Sequence, residues 1–145
     1  MVLTDEQTMI RDTAHAFAAE QLAPNAAAWD RGSIFPADVI RRMGELGFMG
    51  MLTPLEWDGA GADMVTLASV IEEVATGDGA CSTILSVHNF VACMPVLKFG
   101  SSEQRQQYLK PLARGDLLGG FSLTEPGAGS DAAAIVTRAV RDGDG

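Results

Sequence analysis

One short stretch near the end of the chain has residue types suited to binding an anionic ligand. It covers residues 123–131 and reads LTEPGAGSD. Pro126 lacks an amide hydrogen, and Gly127 and Gly129 favour backbone angles that other residues avoid, so a sharp turn is expected here. The glycines also remove side chains that would keep a ligand away, and the amides of 128–131 are candidates to converge on a phosphate-like group. The same residues are typical of a turn that only connects two elements, and composition alone leaves both interpretations open.

Four further polar residues are candidates for a functional role, and each also has a structural interpretation. His88 and Asn89 fall in an apolar stretch, and we interpret them as hydrogen-bonded residues at a helix interface, with the lining of a ligand cavity as the alternative. Glu125 lies beside the Pro-Gly turn and is interpreted as an anchor or packing partner rather than a catalytic base. Asp131 is interpreted as capping the turn through the amides that follow it, or as positioning its neighbour.

Composition excludes several function classes. The formal net charge is −9, which argues against a nucleic acid as partner because phosphate binding needs clustered Lys and Arg. The two cysteines, Cys81 and Cys93, have no histidine pair or second cysteine pair at metal-ligand spacing, so we expect reduced core thiols and no metal site. We find no uninterrupted apolar run of bilayer length and no export signal, and therefore expect no membrane span and a cytoplasmic location.

Apolar periodicity and capping residues predict five or six helices that would position these groups. Thr4 and Gln7 fit a capping box at the start of the first helix. Pro36 suits the first residue of the second helix, where its missing amide hydrogen costs nothing. Asp63 is expected to cap the third helix.

The next predicted helix is the centre of the domain. Residues 81–99 are apolar on nearly every face, which indicates a buried helix with a kink near Pro95. Ser101 and Gln104 fit a second capping box, which opens a last helix that ends at Gly115.

The pattern changes after the helices. Residues 118–124 and 133–140 are strand-sized runs with β-branched residues, and the turn-forming sequence 142–145 follows them. The predicted fold is mainly α, with a helical domain over 1–115 and the first strands of a β-domain over 116–145. Two strands alone bury too little surface to be stable, so we expect an amino-terminal piece of a longer protein.

Together these stretches resemble the acyl-CoA dehydrogenase family over almost the entire chain. The strongest match is residues 121–131, FSLTEPGAGSD, which is similar to the flavin-binding signature of that family. Residues 98–105, KFGSSEQR, are similar to the segment that precedes the signature, and residues 54–63 fit the loop after the second helix. Asp58 departs from the family, which usually has a glycine there, and this concerns only the local loop shape. Residues 86–89 look like those of members acting on short or branched chains.

The resemblance implies an up-and-down, bundle-like helical domain, a middle β-barrel domain and a carboxyl-terminal four-helix domain. FAD would lie between the last two domains, along the interface of a homodimer that often forms part of a homotetramer. Thr124 would offer its hydroxyl to the pyrimidine edge of the flavin. The residues implied in FAD binding are Phe121, Ser122, Leu123, Thr124, Glu125, Pro126, Gly127, Ala128, Gly129 and Ser130. Those implied in binding the acyl-CoA substrate are Ser130, Leu85, His88 and Phe90.

The reaction implied is oxidation of an acyl-CoA thioester to trans-2-enoyl-CoA, in fatty acid or branched-chain amino acid catabolism. A glutamate removes the α-proton while the β-hydrogen leaves as a hydride to FAD, and an electron-transfer flavoprotein takes up the electrons. In this family the glutamate belongs to the carboxyl-terminal domain, so these 145 residues alone are not expected to catalyse. The alternatives are an acyl-CoA oxidase or flavin monooxygenase on the same scaffold, or a helical interaction module without chemistry.

Overall fold

The computed structural model describes residues 2–143, which form helices joined by short turns. Several helices run into one another through π-helical turns, so the segments make six helical rods within these residues, as the sequence predicts. The α-helices are α1 (Asp5–Phe17), α2 (Ala26–Gly32), α3 (Ala37–Glu45), α4 (Met64–Gly77), α5 (Gly79–Val87), α6 (Met94–Phe99), α7 (Ser102–Gln104) and α8 (Lys110–Arg114). The π-helical turns are Ala18–Leu22, His88–Cys93 and Arg105–Leu109, and the 3-10 turns are Phe48–Gly50, Leu55–Trp57 and Ala132–Ala134.

The predicted helix caps are present. Thr4 and Gln7 form a reciprocal capping box, in which the Gln7 amide donates to the Thr4 hydroxyl at 3.2 Å and the Thr4 amide donates to the Gln7 side chain at 3.0 Å. Ser101 and Gln104 form the second capping box. Asp63 accepts a hydrogen bond from the Thr66 amide at 2.8 Å. These local contacts satisfy amides that have no partner within the helix.

The helix predicted to start at Pro36 is α3, and it begins one residue later than predicted. It starts at Ala37 rather than at Pro36, because Pro36 has φ −84° and ψ 66°, which is not a helical conformation. The proline therefore occupies the flanking position before the first turn.

The main core is built around α4, which packs against α1 and α5. Residues with helical spacing from these helices, from α3 and from the turn Phe48–Gly50 fill it, as expected for amphipathic helices. Its buried members are Ala14, Phe17, Ala18, Leu22, Ile40, Met43, Phe48, Met49, Met51, Leu67, Val70, Val74, Cys81 and Leu85. A smaller cluster of Cys93, Leu109 and Leu112 lies between the end of the Gly79–Phe99 rod and the last helix.

The rod Gly79–Phe99 is long and apolar enough to cross a membrane by length and composition, with a mean hydropathy of 1.5. This differs from the expectation that no run of that length exists. The core helix of a soluble protein passes the same test, and this rod contributes Cys81, Leu85 and Cys93 to the cores described above. The expectation that the chain has no membrane span stays a prediction.

Close backbone contact brings the end of α8 onto α3. A Cβ atom added at Gly44 would lie 2.7 Å from the carbonyl oxygen of Arg114, so only glycine permits this approach. Gly115 then ends α8 with φ 79°, in the left-handed region that favours glycine. The chain leaves the helices at this point and enters the segment that contains residues 121–131.

The predicted strands are not confirmed. Among the described residues there is no β-strand, either in 118–124 or in 133–140. An isolated antiparallel bridge joins Glu125 and Ala128, in the turn between these two runs. A strand forms only when its backbone groups meet those of a neighbouring strand, and these two segments do not pair with each other. Gly143 has φ 64°, as expected in a turn, whereas Asp144 and Gly145 of the predicted turn lie outside the described residues. The division at residue 115 stays a prediction.

Candidate functional site

The segment 120–131 lies on the protein surface. Every residue in it is exposed except Glu125 and Ala128. The amides of residues 120–124 donate to no acceptor within residues 2–143. Phe121 is 56% exposed although its ring is apolar. Free amides beside exposed apolar side chains are typical of a surface that another group covers.

The Pro-Gly sequence forms the predicted sharp turn. The Glu125 amide donates to the Ala128 carbonyl at 3.0 Å, and the Ala128 amide donates back to the Glu125 carbonyl at 3.1 Å. A Cβ atom added at Gly127 or Gly129 would meet no atom within 4 Å. Neither glycine is therefore needed for packing in this structure, and both leave open space over the backbone.

Glu125 anchors this turn, as expected from the sequence. Its carboxylate accepts hydrogen bonds from the amides of Val136 at 2.9 Å and Thr137 at 2.8 Å, and also from the Thr137 hydroxyl. The hydrogen bond from the Thr137 side chain, followed by those from the two amides, lowers the pKa of Glu125. Asp131 caps the next turn by accepting from the Ala133 amide at 3.2 Å. The carboxylate of Glu125 is thus ionised and already occupied by donors.

His88 is fully buried and both of its ring nitrogens are hydrogen-bonded. Its Nε2 lies 3.0 Å from the carbonyl oxygen of Leu112, and its Nδ1 lies 3.1 Å from the amide nitrogen of Gly119. A carbonyl only accepts and an amide only donates, so Nε2 carries the hydrogen and Nδ1 is unprotonated. Burial lowers the pKa of His88, against a smaller opposite effect of the hydrogen bond to Leu112. The ring is therefore neutral, with one defined tautomer.

Asn89 is also fully buried and holds the turn Phe48–Gly50. Its side-chain oxygen accepts from the Met51 amide at 3.0 Å, and its Nδ2 donates to the carbonyls of Phe48 at 2.9 Å and Leu85 at 3.1 Å. His88 and Asn89 both fit the interpretation as hydrogen-bonded residues at a helix interface.

The backbone of Gly119 contacts the rod Gly79–Phe99, which is the central rod of the domain. A Cβ atom added at Gly119 would lie 2.2 Å from the Cβ of Ala92 and 3.3 Å from Cδ2 of Leu112. This approach is open only to glycine, because real Cβ contacts are never that short. The chain is thus attached to the rod at Gly119, two residues before Phe121.

The structure separates the residues predicted to bind the acyl chain. Leu85 and His88 have no exposed surface, since Leu85 packs in the main core and the His88 ring is enclosed by its hydrogen-bond partners. Their predicted role in lining an acyl pocket is therefore not supported by their burial. Phe90 is 36% exposed and does reach the surface, and Ser130 is exposed on the candidate flavin-binding segment.

No group of three His, Cys, Asp or Glu residues within the described part of the chain is placed to hold a metal ion. Burial raises the pKa of the thiols of Cys81 and Cys93 to about 12, and both are free. Neither cysteine therefore contributes a thiolate at neutral pH.

Comparison with known proteins decides the family. Residues 4–116 match the family model described as acyl-CoA dehydrogenase, N-terminal domain. The chain belongs to the acyl-CoA dehydrogenase family. Its relatives include the mitochondrial short-chain specific acyl-CoA dehydrogenase of Rattus norvegicus, which is 42% identical over 98% of the chain. The chain spans about a third of that relative's length, at 34%.

Solved structures show the same fold. A chain in the structure of the electron transferring flavoprotein of Acidaminococcus fermentans, studied for a mechanism of flavin-based electron bifurcation, matches with a TM-score of 0.94 and 40% identity. That match covers 99% of this chain and 38% of the other. The glutaryl-CoA dehydrogenase of Mycobacterium smegmatis, in complex with FADH2, matches with a TM-score of 0.90 and 33% identity, over 97% of this chain and 36% of that one.

Sequence reasoning did not find the partners of His88. Leu112 and Gly119 lie 24 and 31 residues away from it, and no local pattern links such distant positions. The glycine pair at 119 and 120 was the sole local indication of a close backbone approach.

Proposed function

We propose that the full-length protein that contains this chain oxidises acyl-CoA thioesters to trans-2-enoyl-CoA with FAD. The observation that carries the proposal is the signature FSLTEPGAGSD, which lies on the surface with unpaired amides in a chain of this family. Two sets of hydrogen bonds hold that stretch in place. Gly119, which precedes it, is bonded to His88 on the central rod, and Glu125 within it is bonded to the amides of residues 136 and 137. A ligand-binding segment of this kind must be held in position while leaving its backbone donors free.

The residues of the segment fit a flavin and its diphosphate. Open space over Gly127 and Gly129 permits close approach to the backbone. The hydroxyls of Thr124 and Ser130 are on exposed residues and are available as donors. We assign Thr124 to the pyrimidine edge of the flavin and Ser130 to the diphosphate, where hydrogen bonds to developing or fixed negative charge are favourable. When bound, FAD supplies the hydride acceptor for the β-hydrogen of the substrate.

The acyl-CoA would be a short-chain substrate, as in the rat relative. Phe90 is the predicted pocket residue with exposed surface and would contact the acyl group, and Ser130 would help to hold the thioester. The α-proton would be removed by a carboxylate beyond these 145 residues, because Glu125 is occupied by Val136 and Thr137. We further propose a homodimer or homotetramer in the cytoplasm that passes electrons to an electron-transfer flavoprotein.

The full-length protein, purified and mixed with butyryl-CoA without oxygen, tests this function. We expect a yellow protein whose flavin absorbance bleaches on mixing and is restored by an electron-transfer flavoprotein. Fast turnover with oxygen as sole acceptor, with release of peroxide, would instead indicate an oxidase. A colourless protein that binds no added FAD would indicate a helical interaction module.

A matched pair of threonine variants tests the assigned site. Thr124→Val removes the hydroxyl assigned to the flavin, and Thr83→Val removes an exposed hydroxyl that bonds only to the Gly79 carbonyl of its own helix. We expect Thr124→Val to slow flavin reduction by about 10- to 100-fold, the effect of one lost donor at a developing charge, while Thr83→Val has no effect. Equal rates for both variants would remove Thr124 from the site.

A further inference from the structure

We propose that His88 is a positioning residue that holds the entry to the flavin-binding segment by accepting a hydrogen bond from the Gly119 amide. The flavin-binding segment is residues 121–131. The expected effect on FAD binding rests on the proposed function, whereas the hydrogen bond between His88 and Gly119 does not. It gives His88 a role different from the lining of an acyl cavity.

The ring of His88 joins three elements at one point. It sits at the first residue of the π-helical turn His88–Cys93, in the middle of the central rod. Nε2 bonds to the Leu112 carbonyl on α8, and Nδ1 accepts from Gly119 in the segment after α8. Single π-helical turns inside α-helices are frequent at functional sites, because they redirect side chains that a regular helix would place elsewhere.

A second contact fixes the same glycine independently. The backbone of Gly119 lies against Ala92, four residues after His88 on the rod, with no room for a Cβ atom. One polar and one steric contact thus define where Gly119 lies. Two residues of chain span at most roughly 7 Å, so the position of Phe121 is limited by that of Gly119. The start of the flavin-binding segment is therefore placed by the helical domain.

The arrangement requires the tautomer with its hydrogen on Nε2. Nδ1 must be unprotonated to accept from Gly119, and Nε2 must carry a hydrogen to donate to Leu112. A hydrophobic residue of the same size would leave the Gly119 amide without its acceptor, whereas the Leu112 carbonyl would keep the bond that it accepts from the Gly115 amide at 2.9 Å. Loss of the acceptor of a part-buried amide is costly, so a side chain with an acceptor at the place of Nδ1 suits position 88.

Two amide substitutions separate the two hydrogen bonds. In His88→Asn the side-chain oxygen lies near the place of Nδ1 and keeps an acceptor for Gly119. In His88→Gln the longer side chain places its NH2 group near Nε2 and keeps the donor to Leu112, while Gly119 loses its acceptor. We expect FAD to bind full-length apoprotein about 5- to 100-fold more weakly in His88→Gln, and within about threefold of wild type in His88→Asn.

Hydrogen exchange gives a readout that does not depend on FAD. The Gly119 amide should exchange faster in His88→Gln than in His88→Asn, measured on apoprotein by mass spectrometry of peptides covering residues 117–124. Val70→Ala is the matched control for general destabilisation, since it removes buried volume on α4 without touching Gly119. This control should lower the urea midpoint and leave both FAD affinity and the exchange of 117–124 unchanged.

A steric pair covers the case in which the histidine variants fail to fold. Gly119→Ala should weaken FAD binding, because its Cβ would overlap that of Ala92. Ala92→Gly combined with Gly119→Ala removes the overlap and should restore part of the affinity. Equal FAD affinity and equal exchange in His88→Asn and His88→Gln, or no rescue by Ala92→Gly, would overturn the proposal. Wild-type protein that binds no FAD would overturn the proposed function, whereas the exchange comparison would still decide the role of His88.

Discussion

Asp58 and Arg114 form a hydrogen-bonded ion pair, with Arg114 Nη1 2.8 Å from Asp58 Oδ2. Lys110 Nζ lies 3.7 Å from the other carboxylate oxygen. Asp58 has φ 62°, in the left-handed region where the family resemblance leads us to expect a glycine. The aspartate therefore adopts the backbone conformation of a glycine, and its carboxylate contacts two cations of α8. The residue that departs from the family pattern thus links its loop to α8 through ion pairs.

Substitution of Asp58 should separate the backbone effect from the charge effect. Asp58→Ala and Asp58→Gly both remove the carboxylate, but only alanine has a Cβ atom that opposes a positive φ. We expect Asp58→Ala to be less stable than Asp58→Gly by about 1–2 kcal/mol in urea unfolding of the full-length protein. Asp58→Asn tolerates the same φ, so its difference from wild type reports the charge and should shrink at high salt. Equal midpoints for Ala and Gly would show that the loop relaxes away from this conformation.

The helices were predictable because their ends are specified locally. Thr4 with Gln7, Ser101 with Gln104, and Asp63 each bond to an amide within three residues, so the sequence alone contains both partners. The left-handed glycines that follow α3 and α8 are equally local.

The site was less predictable because its contacts are distant in sequence. The bond from Gly119 to His88 spans 31 residues, and the bonds from Asn89 to the turn near Phe48 span about 40. The strand-like runs 118–124 and 133–140 have β-type composition, but pairing depends on which backbone lies beside them, and composition does not specify that. The burial of Leu85 in the main core depends in the same way on packing between helices, which the local sequence does not specify.

Cys81 and Cys93 should resist alkylation in the native protein. Burial raises the pKa of both thiols to about 12, so almost no thiolate is present near pH 8. We expect peptides carrying either residue to remain unlabelled by iodoacetamide over a time in which they label fully in guanidinium. Thr83→Cys, which is exposed and two residues from Cys81, is the positive control and should label in the native state. Labelling of Cys81 or Cys93 as fast as that control would show that the core opens readily.

Glu125 should act as an anchor and not as the catalytic base. Its carboxylate accepts from Val136 and Thr137, which lowers its pKa, so it is ionised at neutral pH and has little tendency to take up a proton. In Glu125→Gln, turnover per bound flavin should fall by less than about 10-fold, whereas loss of a general base typically costs about 100- to 10,000-fold. FAD affinity should be lower in Glu125→Ala, which keeps no side-chain acceptor, than in Glu125→Gln, which keeps one. A 100-fold loss of turnover in flavin-loaded Glu125→Gln would contradict the anchor role.

Thr137→Val is the matched variant for that anchor. It removes one donor to Glu125 while leaving both backbone donors in place. We expect a smaller loss of FAD affinity than in Glu125→Ala and no change in turnover per bound flavin. A loss as large as that of Glu125→Ala would indicate that the hydroxyl, rather than the amides, holds the turn.

Acid should loosen the attachment of Gly119 through His88. Burial lowers the pKa of His88 from its ordinary value of 6.5, so below about pH 6.5 the unfolded chain takes up a proton that the native chain does not. Stability from this group is therefore complete above that pH and is lost as the pH falls toward the native pKa. Protection of peptides covering the central rod and residues 112–119, corrected for intrinsic exchange rates, should decrease between about pH 7 and pH 5. The side chain in His88→Asn cannot titrate, so the decrease in protection should be smaller. His15→Gln changes the other histidine, which contacts Glu73 at an exposed site, and should behave as wild type. An equal decrease in all three proteins would assign the acid sensitivity to other groups.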